Sequence, residues 1–329
     1  MYRIDRRRFC AAALLAAAVC GTGAARAEDY PSRPLRMVVP FPPGGATDNI
    51  ARLLAKSMSD SLGQPVVVEN KGGAGAIIGA ETVAKAPPDG YTILASTAGV
   101  HVINPAINAN LPYDPIKSWT PIGLTNAAPL AVVVLASSPF KTLRDLVDYA
   151  KKHPGELSYG SAGVGTSLHQ SGEMFKHAAG VDILHVPYKG AGPAVADFLG
   201  GRTTMMFSYV GSVYENAKAG KTRILGIGSP KRLALIADVP TIGEVLGVEG
   251  YDSDTWTGIV APAGTPPAIV AKLNKAVRYA LEQNHDYLLA NGYVILGGSP
   301  QDMEAKMKDE LAHLTPLLAR LMAPAPGAK

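Results

Sequence analysis

Both cysteines, Cys10 and Cys20, fall within the first twenty residues, so the rest of the chain has no thiol nucleophile, no disulfide and no cysteine metal site. Histidine does not fill that gap. The seven histidines are scattered, with no His-x-x-x-His pair and no carboxylate cluster beside one, so neither a metal nor any other cofactor is expected. An excess of one charge is missing too. The isoelectric point near 8.9 comes from the first 27 residues, which hold five of the 31 Lys and Arg but one of the 27 Asp and Glu; 26 of each remain beyond them. That balance excludes a basic face for nucleic acid or an anionic membrane surface. Stability has to come from packing.

The first 27 residues have a different character. Arg3, Arg6, Arg7 and Arg8 precede an apolar run from Phe9 to Val19, and Ala25-Arg26-Ala27 follows. A basic head, a short apolar middle and an Ala-x-Ala end make a cleavable secretion signal, and the run is too short to span a bilayer. Cleavage after Ala27 and a periplasmic destination are expected. Asp5-Arg6-Arg7-Arg8-Phe9 also resembles a twin-arginine signal, which leaves the export route open. Cys20 allows a lipoprotein reading, but Val19 is a poor match to the small residue needed before a lipidated cysteine. Removing 27 of the 329 residues leaves 302, enough for two domains, because one core tends to split at roughly 250–300 residues.

Past the signal, short apolar runs alternate with helix-period segments, the pattern of βα units around a sheet covered on both faces. Strands are predicted at Leu35–Val39, Val66–Val68, Tyr91–Leu94, Ala131–Leu135 and Leu157–Tyr159, then at 183–186, 204–207, 224–227 and 257–260. Ile50, Leu53, Leu54, Met58 and Leu62 recur at three- and four-residue spacing and predict a helix. Thr142 with Asp145 reads as a capping box for a helix through Lys152. Further helices are predicted at 167–179, at 266–284 and after Ser299-Pro300; the Pro/Ala tail at 323–328 is expected to fray. No long linker separates the halves, so the C-terminal helices are expected to return to the first lobe. The predicted division is 1–27 signal, 28–127 with 253–329 lobe 1, and 128–252 lobe 2.

Two loops could carry chemistry. Phe41-Pro42-Pro43-Gly44-Gly45-Ala46-Thr47-Asp48 places glycines directly before a helix whose first N–H groups lack intrahelical partners, an anion-binding geometry. Thr47 is predicted as its N-cap, with Asp48 favouring the positive end of the dipole. Taken alone, the loop reads equally as a tight strand-to-helix turn. Ser161-Ala162-Gly163-Val164-Gly165-Thr166-Ser167-Leu168-His169 repeats the construction with three hydroxyls added. Two matching loops, one per lobe, could hold both ends of a dicarboxylate through N–H and hydroxyl donors without arginine. His169, near a helix start, is read as a structural, neutral hydrogen-bonding residue.

Other motifs are weaker. Gly165-x-Ser167-x-His169 invites a serine-hydrolase reading, but the nucleophile elbow needs Gly where His169 stands. Asp182 and His185 lie downstream without forming a triad by spacing. Gly73-x-Gly75-x-x-x-Gly79 loosely matches a dinucleotide turn, yet the next strand ends in Ala95-Ser96-Thr97 with no acidic residue for a ribose; these glycines read as close packing.

A family resemblance runs through Val39-Pro40-Phe41-Pro42-Pro43-Gly44-Gly45-Ala46-Thr47-Asp48, Pro65-Val66-Val67-Val68-Glu69-Asn70-Lys71, Pro87-Pro88-Asp89-Gly90-Tyr91, Leu111-Pro112-Tyr113-Asp114-Pro115 and His185-Val186-Pro187-Tyr188-Lys189-Gly190. It continues in Ala217-Lys218-Ala219-Gly220-Lys221, Asp238-Val239-Pro240-Thr241 and Ala261-Pro262-Ala263-Gly264-Thr265-Pro266-Pro267. In series, these resemble the Bug-type receptors of tripartite tricarboxylate transport. The resemblance implies an α/β, two-lobed type II periplasmic binding fold, a "Venus flytrap" with a mixed βα sheet in each lobe, closing on a small carboxylate. Carboxylate groups would then be held, with ordered water, by Phe41, Gly44, Gly45, Ala46, Thr47, Ser161, Gly163, Gly165, Thr166 and Ser167, with Tyr188 as a wall; alternatively Tyr188 and Lys189 only shape a turn. Many relatives carry Asp where this chain has Ser208, so Ser208 predicts a ligand without an ammonium group: a citrate-like or aliphatic carboxylate, or an aromatic one stacking on Phe41 or Tyr209. Ile77 points the same apolar way.

The function that follows is a monomeric, non-enzymatic receptor delivering a di- or tricarboxylate or an aromatic carboxylate to membrane transporter subunits. A sensor presenting the bound state to a signalling protein is the alternative, and a hydrolase using Ser167 the third reading.

Overall fold

The computed structural model describes residues 30–321; the secretion signal with its cleavage site and the Pro/Ala tail lie outside them. Two mixed sheets organise the chain. The first is built from β1 (Leu35–Val39), β2 (Val66–Asn70), β3 (Thr92–Thr97), β4 (Trp119–Ala128), β10 (Thr255–Pro262) and β11 (Val294–Ile295), in the order β11-β4-β10-β3-β1-β2. In it β1 lies parallel to β2 and β3, while β10 runs antiparallel to β3 and β4. The second sheet has the order β7-β6-β8-β5-β9, from β5 (Leu130–Leu135), β6 (Ser158–Ser161), β7 (Leu184–Pro187), β8 (Met205–Tyr209) and β9 (Thr222–Ile227). There β6 is parallel to β7 and β8, and β5 antiparallel to β8 and β9.

Helices cover the sheets. With the first sheet go α1 (Ala46–Leu62), α2 (Ile77–Ala84), a π-helical turn at Gly99–Ile103 running into α3 (Asn104–Ile107), and later α9 (Pro267–Gln283), α10 (His285–Ala290) and α11 (Pro300–Leu321). With the second go α4 (Leu143–Lys152), α5 (Ser167–Ala179), α6 (Ala191–Leu199), α7 (Val210–Lys218) and α8 (Ile242–Leu246). No helix among the described residues is long and apolar enough to cross a membrane.

Period-two alternation explains why the second sheet is covered on both faces. Val132 and Val134 of β5, with Met205 and Phe207 of β8, pack into one core; Ala131, Val133 and Met206 between them pack into another. Each such fully buried side chain contributes about 1.5–3 kcal/mol, and truncating Phe207 to Ala would cost about 3–5 kcal/mol.

The helix starts follow local chemistry. Thr142 and Asp145 form the anticipated capping box at α4, each side chain accepting from the other's backbone N–H. At α1 the expectation of a Thr47 cap is corrected: Gly45 is the N-cap and Thr47 lies inside the first turn. Asp48, in the first turn, reaches back to accept the Gly44 N–H at 2.9 Å, and no side chain accepts a first-turn N–H at the cap. Ile50, Leu54 and Met58 form the buried stripe of α1, and Gly63 ends it in the left-handed region, at φ 68°. Strands β4 and β11 and helices α3, α6, α7, α8 and α10 were not anticipated from the sequence.

The chain passes between the sheets at Pro129 and again at 252–254. These crossings are tied together: Leu130 N–H donates to Asp254 Oδ1 at 3.2 Å, Ser229 Oγ to Asp254 Oδ2 at 2.5 Å, and Ser253 N–H to Gly228 O at 3.0 Å. Burial pushes the Asp254 carboxyl up to about 6, with the Asp252 charge adding to the effect against the Ser229 and Leu130 hydrogen bonds.

Candidate functional site

In open α/β sheets, ligands sit beyond the carboxyl ends of parallel strands. Residues just past, or at, the carboxyl ends of β1, β3, β6 and β8 surround one cavity of ≈ 90 Å³: Phe41, Gly45 and Thr47; Thr97 and Gly99; Ala162, Thr166 and Ser167; and Tyr209. A neighbouring cavity of ≈ 740 Å³ shares Phe41, Pro42, Ala162 and Gly190 with it and extends past Ile77, Asn104, Asn108 and Tyr188.

The first loop is held by charge. Asp48, 2 % exposed, accepts from Gly44 N–H, from Arg52 Nε at 3.1 Å and from Asn70 Nδ2 at 2.8 Å. Asn70 Nδ2 also donates to Phe41 O at 3.0 Å, and Arg52 donates to Asn70 Oδ1 at 2.8 Å. Burial would raise the Asp48 carboxyl, but the Arg52, Gly44 and Asn70 hydrogen bonds and the Arg52 charge outweigh it and hold it below the usual range. None of these groups points a charge into the cavity; they fix the backbone that does the presenting.

The second loop is held by neutral groups. Thr166 Oγ1 donates to Gly163 O at 2.7 Å, and Gly163 N–H donates to Ser161 Oγ at 3.1 Å. Ser161 Oγ lies 2.7 Å from His185 Nε2, and His169 Nδ1 accepts the Gly165 N–H at 3.4 Å. The two imidazoles stack with centroids 4.1 Å apart, and His185 stacks in turn on Tyr159 at 4.9 Å. Burial lowers His169 to about 4 and His185 to about 3, with their mutual repulsion adding to the shift of His185. Gly163 and Gly165, at φ +124° and +81°, hold conformations that side chains disfavour.

A third helix start completes the wall. Gly190, Ala191, Gly192 and Pro193, the N-cap and first turn of α6, line the small cavity. The sequence signal was a proline, Pro193, tolerated in a first helical turn because its missing N–H breaks no intrahelical bond there. Three helix N-termini, each equivalent to roughly half a positive charge, thus meet one cavity. Among the described residues, no charged side chain lines the small cavity, and Lys189 is the one charged residue lining the larger.

Of the residues singled out from sequence, Phe41, Gly45, Ala46, Thr47, Thr166 and Ser167 line the small cavity, and Gly163 and Tyr188 line the larger. The Tyr188 hydroxyl donates to Asp197 Oδ2 at 2.9 Å. Gly44, Ser161, Gly165 and Ser208 border neither cavity. Ser208 is buried in β8, and the residue of that strand facing the cavity is its neighbour Tyr209, whose phenol burial pushes up to about 12 and so keeps neutral. Thr97, Gly99 and the α6 start were missed.

The hydrolase arrangement does not assemble. Ser167 Oγ donates to Thr255 Oγ1 at 2.8 Å, and the serines that do meet histidines, Ser161 with His185 and Ser96 with His101, are fully buried. No group of three or more His, Cys, Asp or Glu among the described residues could hold a metal ion.

The loops meet across the cleft at bare backbone. A Cβ added to Gly75 would lie 2.6 Å from Val164 O, one on Gly165 2.5 Å from Asn104 Oδ1, and one on Gly190 3.3 Å from Pro42 Cγ. Gly79 packs as read from sequence, its added Cβ falling 2.7 Å from Lys71 O.

Two α/β lobes, a mixed sheet in each and a cleft between their strand ends define the class of two-lobed periplasmic binding proteins. Within it, residues 50–322 match the tripartite tricarboxylate transporter family receptor, and the chain belongs to that family. Similar solved structures include the periplasmic binding protein BugD, 38% identical with a TM-score of 0.84 over 89% of this chain and 98% of that one. Rpa4515 of R. palustris with adipate is 37% identical, with a TM-score of 0.85 over 89% and 98%. MatC of Rhodopseudomonas palustris with bound malate is 32% identical, with a TM-score of 0.82 over 88% and 100%.

Proposed function

We propose that the protein is a periplasmic receptor that captures a small carboxylate between lobe 1 (28–127 with 253–329) and lobe 2 (128–252) and hands it to membrane transporter subunits, without catalysing a reaction. The observation that carries this reading is the convergence of three helix N-termini on a cavity without a charged side chain. Such a cavity favours an anion and offers a cation nothing. Among the described residues no acidic side chain lines either cavity, so a ligand ammonium would lack a counter-charge. The ligand is therefore a plain mono-, di- or tricarboxylate, with its apolar body against Phe41 or Tyr209. The paired cavities suit an elongated molecule, one carboxylate in the small cavity and the rest in the larger; adipate and malate, bound by two of the related proteins, are of this kind. Closure follows because the closed form gains contacts to both loops.

A thermal-shift and calorimetric panel of adipate, malate, citrate, benzoate, glutamate and aspartate tests the proposal. A plain carboxylate at 100 times its dissociation constant should stabilise the fold by about 2.7 kcal/mol. Tighter binding of glutamate or aspartate than of every plain carboxylate would overturn the ligand class, and turnover of ester substrates would overturn the non-enzymatic role.

A further inference from the structure

Among the described residues, six buried side-chain polar atoms have no hydrogen-bond partner, and one of them, Thr97 Oγ1, belongs to a residue lining the small cavity. Thr97 is 4% exposed and is the last residue of β3. Its surroundings explain why no protein group satisfies it. Thr257, opposite Thr97 in the β10 register, has its hydroxyl 2.7 Å from Thr125 Oγ1 and 2.8 Å from Asn126 Oδ1. Ser96, the preceding residue, pairs its hydroxyl with His101 Nε2 at 2.8 Å. On the cavity side stands Gly99, where an added Cβ would lie 3.1 Å from Thr97 Oγ1 and 3.4 Å from Gly165 O. The glycine keeps the space before the hydroxyl clear.

A buried hydroxyl without a partner carries a desolvation penalty that folding does not recover, so each one in a native protein calls for an explanation. Here the explanation is the cavity it borders. We propose that Thr97 is a ligand-binding residue, its hydroxyl donating to a carboxylate oxygen seated among the first-turn N–H groups of α1, α5 and α6. This rests on the carboxylate reading of the cleft and adds to it. Backbone donors grip any anion alike, whereas a hydroxyl on a rigid strand end fixes where one oxygen must lie and so contributes selectivity.

The test compares wild type, Thr97→Val and Thr97→Ser for melting temperature without ligand and for calorimetric affinity towards adipate, malate, citrate and benzoate. Valine has the shape of threonine without the hydroxyl. The expected result is an unliganded melting temperature unchanged or raised in T97V, affinity reduced roughly 10- to 100-fold for the carboxylate that wild type binds best, and affinity within about threefold of wild type in T97S. A merely structural hydroxyl gives the opposite pattern, a lowered melting temperature with affinity retained, and that overturns the proposal. Equal affinity of wild type and T97V overturns it as well while leaving the carboxylate reading intact. Wild type binding none of the four acids overturns both readings together.

Discussion

The two loops that face the small cavity present the same feature, the start of a helix after a glycine-rich turn, and are anchored by opposite electrostatic means. Residues 41–48 hang on Asp48, an ionised carboxylate shared by Gly44, Arg52 and Asn70. Residues 161–167 rest on two uncharged imidazoles, His169 and His185, stacked behind them. The difference teaches that paired helix-start loops can be held rigid without directing any formal charge into the cavity between them. Lobe 1 neutralises its anchor with Arg52 at half-exposed depth, whereas lobe 2 puts neutral imidazoles against the loop and keeps its charges, Glu173 paired with Lys176, one contact further back behind Tyr159.

Removing the charged anchor should have the largest effect. Asp48→Ala leaves Gly44 N–H and Asn70 without their acceptor and is expected to cost about 2–4 kcal/mol in denaturant unfolding, with ligand binding lost alongside. Retained stability would mean that Arg52 and Asn70 hold the loop without it.

Acid should separate the loops next. His169 and His185 have folded values of about 4 and about 3, below the ordinary 6.5, so their stability is fully present above 6.5 and lost as pH falls from there towards 4. Asp48, lowered from 3.8, keeps its contribution until pH falls below about 4. Amide exchange in 161–167 should therefore accelerate near pH 5 while 41–48 stays protected. Simultaneous loosening would erase the distinction. His101, buried in the first lobe with a value of about 4, loses stability over the same range as the imidazole pair, so local exchange rather than a global melting curve is the measurement that discriminates.

The hinge carboxylate has the reverse sign. Asp254, raised from 3.8 to about 6, makes a contribution fully present below 3.8 and lost as pH rises through 6. Asp254→Asn should stabilise the protein by about 1–2 kcal/mol at pH 7.5 and by nothing below pH 4, read from melting temperatures across that range. The smallest effect belongs to Ser167→Ala, which loses a neutral bond to Thr255 worth about 1 kcal/mol. A total loss of affinity in that variant would show that the hydroxyl leaves Thr255 for the ligand.

Both loops were legible in the sequence because strand, glycines and helix start are neighbours along the chain. So was the α4 capping box, which spans four residues. What lay hidden depended on which strands are adjacent. Thr97 reaches the cavity because β3 lies beside β1, and the α6 start because β7 lies beside β6, pairings between distant segments. Ser208 failed for another reason. In Met205-Met206-Phe207-Ser208-Tyr209 apolar residues occupy both faces of a strand buried on both sides, so the alternation that normally tells inside from outside carries no signal. The Thr47 cap was misplaced because the helix has its cap two residues earlier, at Gly45, with no side chain accepting there, which side-chain identity does not reveal.

The bare backbone contacts across the cleft make the receptor its own calibrated wedge gauge. Alanine, valine and leucine placed in turn at Gly75, which borders the larger cavity and not the small one, would prop the lobes apart by successive increments, over the strain that any side chain meets there at φ +62°. Such a ladder of partly open receptors would measure how far the jaws must shut before a carboxylate is held.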